Sequence, residues 1–492
     1  STPARHRGSP GEPRALFALP SARGPLPAPR WPVECEVIKE TIEHIGGGRG
    51  GARGAAAGPG AAALPIPPRR GPYEYVLTLR PDLYTAKHTQ WFYFRVQNTR
   101  RDPLYRFTIA NLAKAKSLYG EGMRPLLYSQ RDAQSRGIGW RRVGTDVCYY
   151  QGGGGGEEPA AFRLSWTTRF PHDGDTCFFA HSYPYTYSDL QRYLRALAAD
   201  PVRSRYCAVR ALCRSLAGNT VYLLTVTSPA GAAAKRAVVV SARAHPGESG
   251  GSWAMRGFLD FLLGGHPDAR LLRRLFVFKV VPMLNPDGVV VGNSRCSLAG
   301  RDPNRAYGTA LRGSFPGVWH LRAMVERVLA EREVVLYCDF HGHSRKNNVF
   351  MYGCDGGGVG AAQRLRQRVF PLMLSKNAPD KFSFPSCKFK VQKSKAGTGR
   401  VVMWRLGVSN SYTMEVAFGG STLGGRSSHF TLEDLKSLGY HLCDTLLDFC
   451  DPHPAKFQRC LSELDALLRR RLGRQPGSGS SWSDVSPSEL ES

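Results

Sequence analysis

The sequence predicts an α/β fold, a mixed and largely parallel sheet flanked by helices, preceded by a small antiparallel β-sandwich. Three observations predict it. Apolar, strand-length runs at 221–226, 237–241, 275–281, 334–339 and 412–418 alternate with helical patterns at 252–263, 318–329 and 432–450, the order that covers a parallel sheet on both faces. Ahead of them, aromatic-rich runs of period two at 75–79, 91–96 and 162–166 have the pattern of half-buried antiparallel strands. Finally, 492 residues with 42% hydrophobic content can bury a large core shared by two or three domains.

Taken in order, residues 1–72 are rich in Pro, Gly, Ala and Arg and cannot repay the entropy of ordering. A mostly disordered arm is expected there, with one short amphipathic element at 31–45. Residues 73–182 form the sandwich, and the glycine run at 152–156 marks a flexible loop tip between strands. Ser188 is the expected N-cap of a helix at 189–197, which opens a catalytic domain at 183–455. The remaining 456–492 form a tail with one helical piece at 463–472 and then a Ser/Gly/acidic end.

Composition narrows the function. A net charge of +28 favours an acidic partner: nucleic acid, an anionic membrane or an acidic polypeptide. There is no RNA-binding signature, helix-turn-helix or paired-cysteine module, and the apolar runs are too short for a membrane span. No nucleic acid and no membrane is therefore expected, and an acidic protein substrate remains. The 12 cysteines are scattered singly without a CxxC, the usage of free intracellular thiols. The amino-terminal stretch has no apolar core of about 7 to 15 residues, so a cytosolic enzyme is expected.

The chemistry concentrates in three places. His245-Pro246-Gly247-Glu248 follows the strand-like run 236–241, and Asp339-Phe340-His341-Gly342-His343 ends another. Alone, a His-x-x-Glu is usually a surface pair. Here Pro246 and Gly247 force a tight turn after a strand, and His341 supplies a third donor. Two imidazoles and one carboxylate are the donor set of an open zinc site. His341 is chosen over His343 because it lies nearer the strand end, and His343 is expected to line the site. Glu415, in the strand-like run 411–418, is placed to act as a general base beside the metal. Arg295, Asn304 and Arg305 share a Gly-rich loop region after Asn285-Pro286-Asp287-Gly288, and guanidinium groups there suit a terminal carboxylate. The chain reads as a zinc hydrolase.

His245-Pro246-Gly247-Glu248, Asn285-Pro286-Asp287-Gly288, Asp302-Pro303-Asn304-Arg305, Asp339-Phe340-His341-Gly342-His343-Ser344 and Tyr412-Thr413-Met414-Glu415 stand in the order of the cytosolic carboxypeptidases. Over about 73–454 the chain resembles this intracellular branch of the zinc metallocarboxypeptidases, which shorten polyglutamate tails on tubulin, and it is most similar to members two and three. The resemblance implies a metallocarboxypeptidase-like fold and one zinc ion held by His245, Glu248 and His341. It implies Glu415 as the catalytic base and acid, Arg295 as the oxyanion-stabilising residue, and Asn304 with Arg305 on the substrate α-carboxylate. Arg400, 15 residues before Glu415, falls at the specificity position, and Lys393 and Lys395 reinforce its charge. Pro303 replaces the family's usual leucine and biases Asp302 to an extended backbone. The partners so implied are polyglutamylated tubulin, other acidic tails and microtubules, for a monomer in the cytoplasm, at the cytoskeleton, centriole or ciliary basal body. Two alternatives stand beside this: an amidohydrolase of small acylated amino acids, and a catalytically silent module that binds acidic tails.

Overall fold

The computed structural model describes residues 73–152, 161–229, 235–309, 311–355, 361–425 and 428–472. The expected arm at 1–72, most of the glycine run and the end of the tail lie outside the described residues.

Eight short strands come first: β1 (Glu74–Leu77), β2 (Tyr93–Val96), β3 (Tyr105–Leu112), β4 (Leu126–Ser129), β5 (Arg141–Arg142), β6 (Thr145–Gln151), β7 (Phe162–Thr168) and β8 (Cys177–Ala180). They make two four-stranded sheets, ordered β1-β3-β7-β6 and β2-β8-β4-β5. Alternation drives the packing: Tyr105, Phe107 and Ile109 of β3 are buried and the residues between them less so. Phe107 and Trp166, both fully buried, stack with ring centroids 5.5 Å apart. The pairings are antiparallel, except that β1 runs parallel to β3, because the intervening β2 belongs to the other sheet.

Seven further strands, β9 (Cys207–Arg214), β10 (Thr220–Val226), β11 (Arg236–Ala242), β12 (Phe276–Val281), β13 (Val334–His343), β14 (Val349–Tyr352) and β15 (Ser411–Ala417), form one sheet ordered β14-β15-β13-β11-β12-β10-β9. The central four are parallel, and antiparallel strands close both edges. Strands β9 and β14 were not expected. The first reads Cys-Ala-Val-Arg-Ala-Leu-Cys-Arg and is exposed along much of its length, so no clean period marks it; the second is only 4 residues long.

Helices Ser249–Leu262 and Leu432–Phe449 cross in close contact on one face. A Cβ on Gly257 would lie 2.0 Å from the Lys436 carbonyl oxygen, and one on Gly439 would lie 2.2 Å from the Phe258 nitrogen. Both positions therefore require glycine. The helix expected at 189–197 spans Tyr187–Ala199 and is capped by Thr186, whose hydroxyl accepts from the Asp189 N–H in a capping box. Thr186 replaces Ser188 as the cap because the backbone is extended at Thr186 and helical from Tyr187, which puts Ser188 inside the first turn.

Register is what builds the site. Ser241 of β11 faces Asp339 of β13, and His341 of β13 is paired directly with Glu415 of β15. The chemistry thus gathers at the carboxyl ends of parallel strands, where such sheets place their ligands.

Candidate active site

His245 leaves β11 through Arg243, which takes a left-handed backbone (φ 59°). The cost of that conformation is offset by the buried guanidinium, which donates to the carbonyl oxygens of Pro246 (2.9 Å) and Tyr185 (3.0 Å) and to Ser252 Oγ (2.9 Å). The turn is thereby locked, and Glu248 arrives at the head of helix Ser249–Leu262 without capping it. Its carboxylate points instead at imidazoles. Oε1 lies 2.8 Å from His245 Nδ1 and Oε2 2.9 Å from His341 Nδ1, while the two Nδ1 atoms are 3.1 Å apart.

These donor atoms of His245, Glu248 and His341 all fall within 4.8 Å of one another. Each imidazole is held from behind by a carboxylate: His245 Nε2 meets Asp302 Oδ1 at 2.9 Å, and His341 Nε2 meets Asp339 Oδ2 at 2.7 Å. Ser241 Oγ in turn donates to Asp339 Oδ1 at 2.8 Å. Convergent nitrogens and oxygens with carboxylate-backed histidines fit a zinc ion. Burial alone would raise the Glu248 carboxyl, but the two imidazoles hold it well below the usual carboxylate range. Gly342 completes the pocket by donating its N–H to Glu248 Oε2 at 2.9 Å. A Cβ there would strike the Phe418 ring at 2.6 Å.

Glu415 lines the same cleft. Burial lifts its carboxyl to about 7, against the His341 imidazole and with the Glu248 carboxylate. Asp302 is the hub on the other side. It adopts the extended backbone expected before Pro303, accepts the Asn304 N–H at 2.8 Å, and pairs through Oδ2 with Arg295 Nη2 at 2.6 Å and Arg305 Nη1 at 3.8 Å. Asn304 lies with Nδ2 3.4 Å from His341 Nε2 and accepts the Gly399 N–H at 3.0 Å. Arg400, the next residue, is buried. Its Nη1 donates to the Gly353 carbonyl and lies 3.2 Å from Cys354 Sγ, and its guanidinium lies 5.9 Å from the centre of the Tyr352 ring.

All eight residues singled out for the site, His245, Glu248, Arg295, Asn304, Arg305, His341, Arg400 and Glu415, line one cleft of about 390 Å³. Lys395 lines it too, whereas Lys393 is exposed. His343 shares the face of β13 with His341, as residues two apart do. It touches neither metal-site carboxylate: its Nδ1 accepts the N–H groups of Arg345 (3.0 Å) and Lys346 (3.2 Å). Burial, with Lys114 and Lys346 nearby, pushes this ring down to about 4.

The sequence reading gave no role to Asp302 or Asp339, and it did not see two contributions from the β-sandwich. Asp82, almost fully buried, accepts three consecutive N–H groups, those of Ser294 (2.6 Å), Arg295 (2.7 Å) and Cys296 (2.7 Å). This carboxylate fixes the loop that carries Arg295. Lys114 lines the cleft and donates to Ser344 Oγ at 2.8 Å. Only the Asp-Pro step before Asn304 left a local signal, and that pointed to a turn rather than to a ligand's support.

Comparison with known proteins agrees with this geometry. Residues 190–423 match the zinc carboxypeptidase family, and residues 68–180 match the cytosolic carboxypeptidase N-terminal domain. Cytosolic carboxypeptidase 2 of Danio rerio is 54% identical over 96% of this chain and 76% of its own length. The chain belongs to the cytosolic carboxypeptidase family. Cytosolic carboxypeptidase 2 of Mus musculus is 56% identical over 98% of the chain, and cytosolic carboxypeptidase 3 of Bos taurus 50% over 93%. The chain spans 64% of the mouse relative and 52% of the bovine one. A metallo-carboxypeptidase from Burkholderia cenocepacia has the same fold, with a TM-score of 0.64 at 23% identity over 77% of this chain and 93% of its own. Every described cysteine is a free thiol. No helix among the described residues is long and apolar enough to cross a membrane.

Proposed function

We propose that this cytosolic carboxypeptidase family member is a zinc-dependent exopeptidase that removes C-terminal glutamates from polyglutamate side chains or acidic tails of proteins such as tubulin. The observation that carries the reading is the charge of the cleft. Eight cations line it against two carboxylates, Glu248 and Glu415, which belong to the metal site and the base. Lys114, Arg345, Lys388, Lys395 and Arg400 pair with no carboxylate among the described residues. Of these, Arg400 is buried and Lys114 and Lys395 are half-buried, and cations so placed and left unneutralised favour a ligand that brings negative charge.

His245, Glu248 and His341 would hold the zinc ion, which supplies a water of lowered pKa and polarises the scissile carbonyl. Glu415, lifted to about 7 by burial, accepts the proton from the attacking water and returns it to the leaving amine. Arg295 stays charged beside Asp302, raised further by that partner despite burial, and faces the oxygen on which negative charge develops. Asn304 and Arg305 take the substrate α-carboxylate, and Arg400, anchored on the Gly353 carbonyl, meets the leaving side chain. A terminal glutamate satisfies both. The family name supports a cytoplasmic site of action, and the cytoskeleton, centriole or ciliary basal body is the place proposed for it within the cytoplasm.

The test measures zinc by elemental analysis, together with release of free glutamate from a synthetic polyglutamylated peptide. One zinc per chain with glutamate release is expected. Zinc without release from acidic peptides, but with hydrolysis of acylated amino acids, would replace the reading by an amidohydrolase; peptide binding without any turnover would replace it by a silent binding module.

A further inference from the structure

The pairing register arranges the sheet beneath the cleft in three rows of side chains on one face. In the first row Asp339 of β13 pairs with Thr413 of β15, and Thr413 with Tyr352 of β14. In the second His341 pairs with Glu415, and Glu415 with Phe350. His343 and Ala417 make the third, two residues on and about 7 Å further along the strand. Contacts fix which end is which. Asn304 Nδ2 lies 3.4 Å from His341 Nε2, the nitrogen that meets Asp339 Oδ2 at 2.7 Å. The Arg400 guanidinium lies 5.9 Å from the centre of the Tyr352 ring. The groups proposed for the terminal residue therefore stand at the first row, and His341 and the base make the second, while the third has no assigned part.

His343 is held so that one donor stays free. Its Nδ1 accepts the N–H groups of Arg345 and Lys346 at 3.0 and 3.2 Å. A ring nitrogen that accepts carries no hydrogen, so the imidazole is neutral with its single N–H at Nε2. The ring packs edge-on to Phe350 with centroids 5.2 Å apart, and the His343 carbonyl accepts the Phe418 N–H at 3.0 Å. Leu118 of the sandwich pins the next residue by donating to the Ser344 carbonyl at 3.0 Å. Nε2 itself meets no partner among the described residues, and it is open to solvent on a ring that lines the cleft. A fixed, neutral donor suits a neutral oxygen. A peptide advances about 3.5 Å per residue, so a substrate with its terminal residue at the first row and its scissile carbonyl at the second carries its preceding carbonyl toward the third. We propose that the His343 Nε2–H donates to the main-chain carbonyl of the peptide group before the scissile one, whatever side chains flank it, and so positions the chain over the metal site. The inference deepens the proposed exopeptidase reading and rests on it.

The experiment compares kcat/KM of the zinc-loaded full chain, for release of the first glutamate, on hexaglutamate and on the same peptide with one oxygen changed to sulfur. The exchanged oxygen is that of the peptide group before the scissile one, and sulfur is the weaker acceptor. The wild type prefers the oxygen peptide by about three- to tenfold, the scale of one neutral hydrogen bond. His343→Asn keeps an acceptor for the two loop N–H groups but withdraws the donor, and it brings the ratio close to one with zinc content unchanged. His343→Gln sets an amide N–H near the place of Nε2 and recovers part of the ratio. A wild type indifferent to the exchange, an Asn variant that keeps the full ratio, or zinc lost from that variant would overturn the inference while leaving glutamate release standing. Failure of the zinc-loaded wild type to release glutamate from the oxygen peptide would bring down the proposed activity, and the inference with it.

Discussion

At the scale of single residues, roles divide by what each environment does to charge. Glu248 and Glu415 are both half-buried glutamates of the same cleft, yet imidazoles hold the first well below the usual carboxylate range and desolvation lifts the second to about 7. The first therefore suits a cation and the second suits proton transfer. Glu415→Gln keeps shape and removes the base, so turnover should fall by about 10² to 10⁴ with zinc content unchanged in elemental analysis. Metal loss would reassign Glu415 to the ligand set. Arg400 makes a second case, because its anchors are a carbonyl and a thiol rather than an acid. Arg400→Gln should lower kcat/KM for a glutamate-terminated peptide by about ten- to hundredfold, and should narrow the gap to a leucine-terminated one. The donor set of the candidate metal site was legible from residue type and spacing, since His245 and Glu248 lie on one turn. Arg400 was legible only through the family resemblance, because nothing local distinguishes it among 67 Lys and Arg.

At the scale of elements, the parallel register of β11, β13 and β15 puts Ser241 opposite Asp339 and, two residues on along the same face, His341 opposite Glu415. The loop 294–305 then closes the site from above through Asp302. That loop has no regular structure around Arg295, and its order comes from Asp82 in the sandwich. Asp82→Ala strands three N–H groups, so kcat should fall about tenfold or more while zinc content persists. Combined with Arg295→Ala, the losses should not add, with a coupling of about 0.5–3 kcal/mol. Additive losses in the double-mutant cycle would show that Asp82 acts on folding alone. The strand positions of β10 to β13 and β15 were readable from apolar runs. Strands β9 and β14 were not, one being a mixed-polarity edge and the other a single short pairing.

At the scale of the whole molecule, the sandwich and the α/β domain share the cleft: Asp82 reaches the arginine loop and Lys114 the floor beyond His341. The metal site should couple to the stability of this body, since its ligands come from a turn and a strand 93 residues apart. Chelation should lower the melting temperature by several degrees, consistent with about 3–4 kcal/mol from a ligand held at 100 to 1,000 times its Kd, and added zinc should restore it. An unchanged melting temperature on loss of metal would mean that the carboxylate–imidazole contacts hold the site without a cation.

The amino-acid order by itself determined the donor types, the succession of strands and helices, and the basic surplus, because each is written in local spacing or composition. Only the tertiary structure decided that Asp302 and Asp339 brace the imidazoles, that Asp82 holds the Arg295 loop, and that Lys114 enters the cleft. Two of those contacts join residues more than two hundred positions apart, and a hydrogen bond across such a distance leaves no periodic trace in the chain.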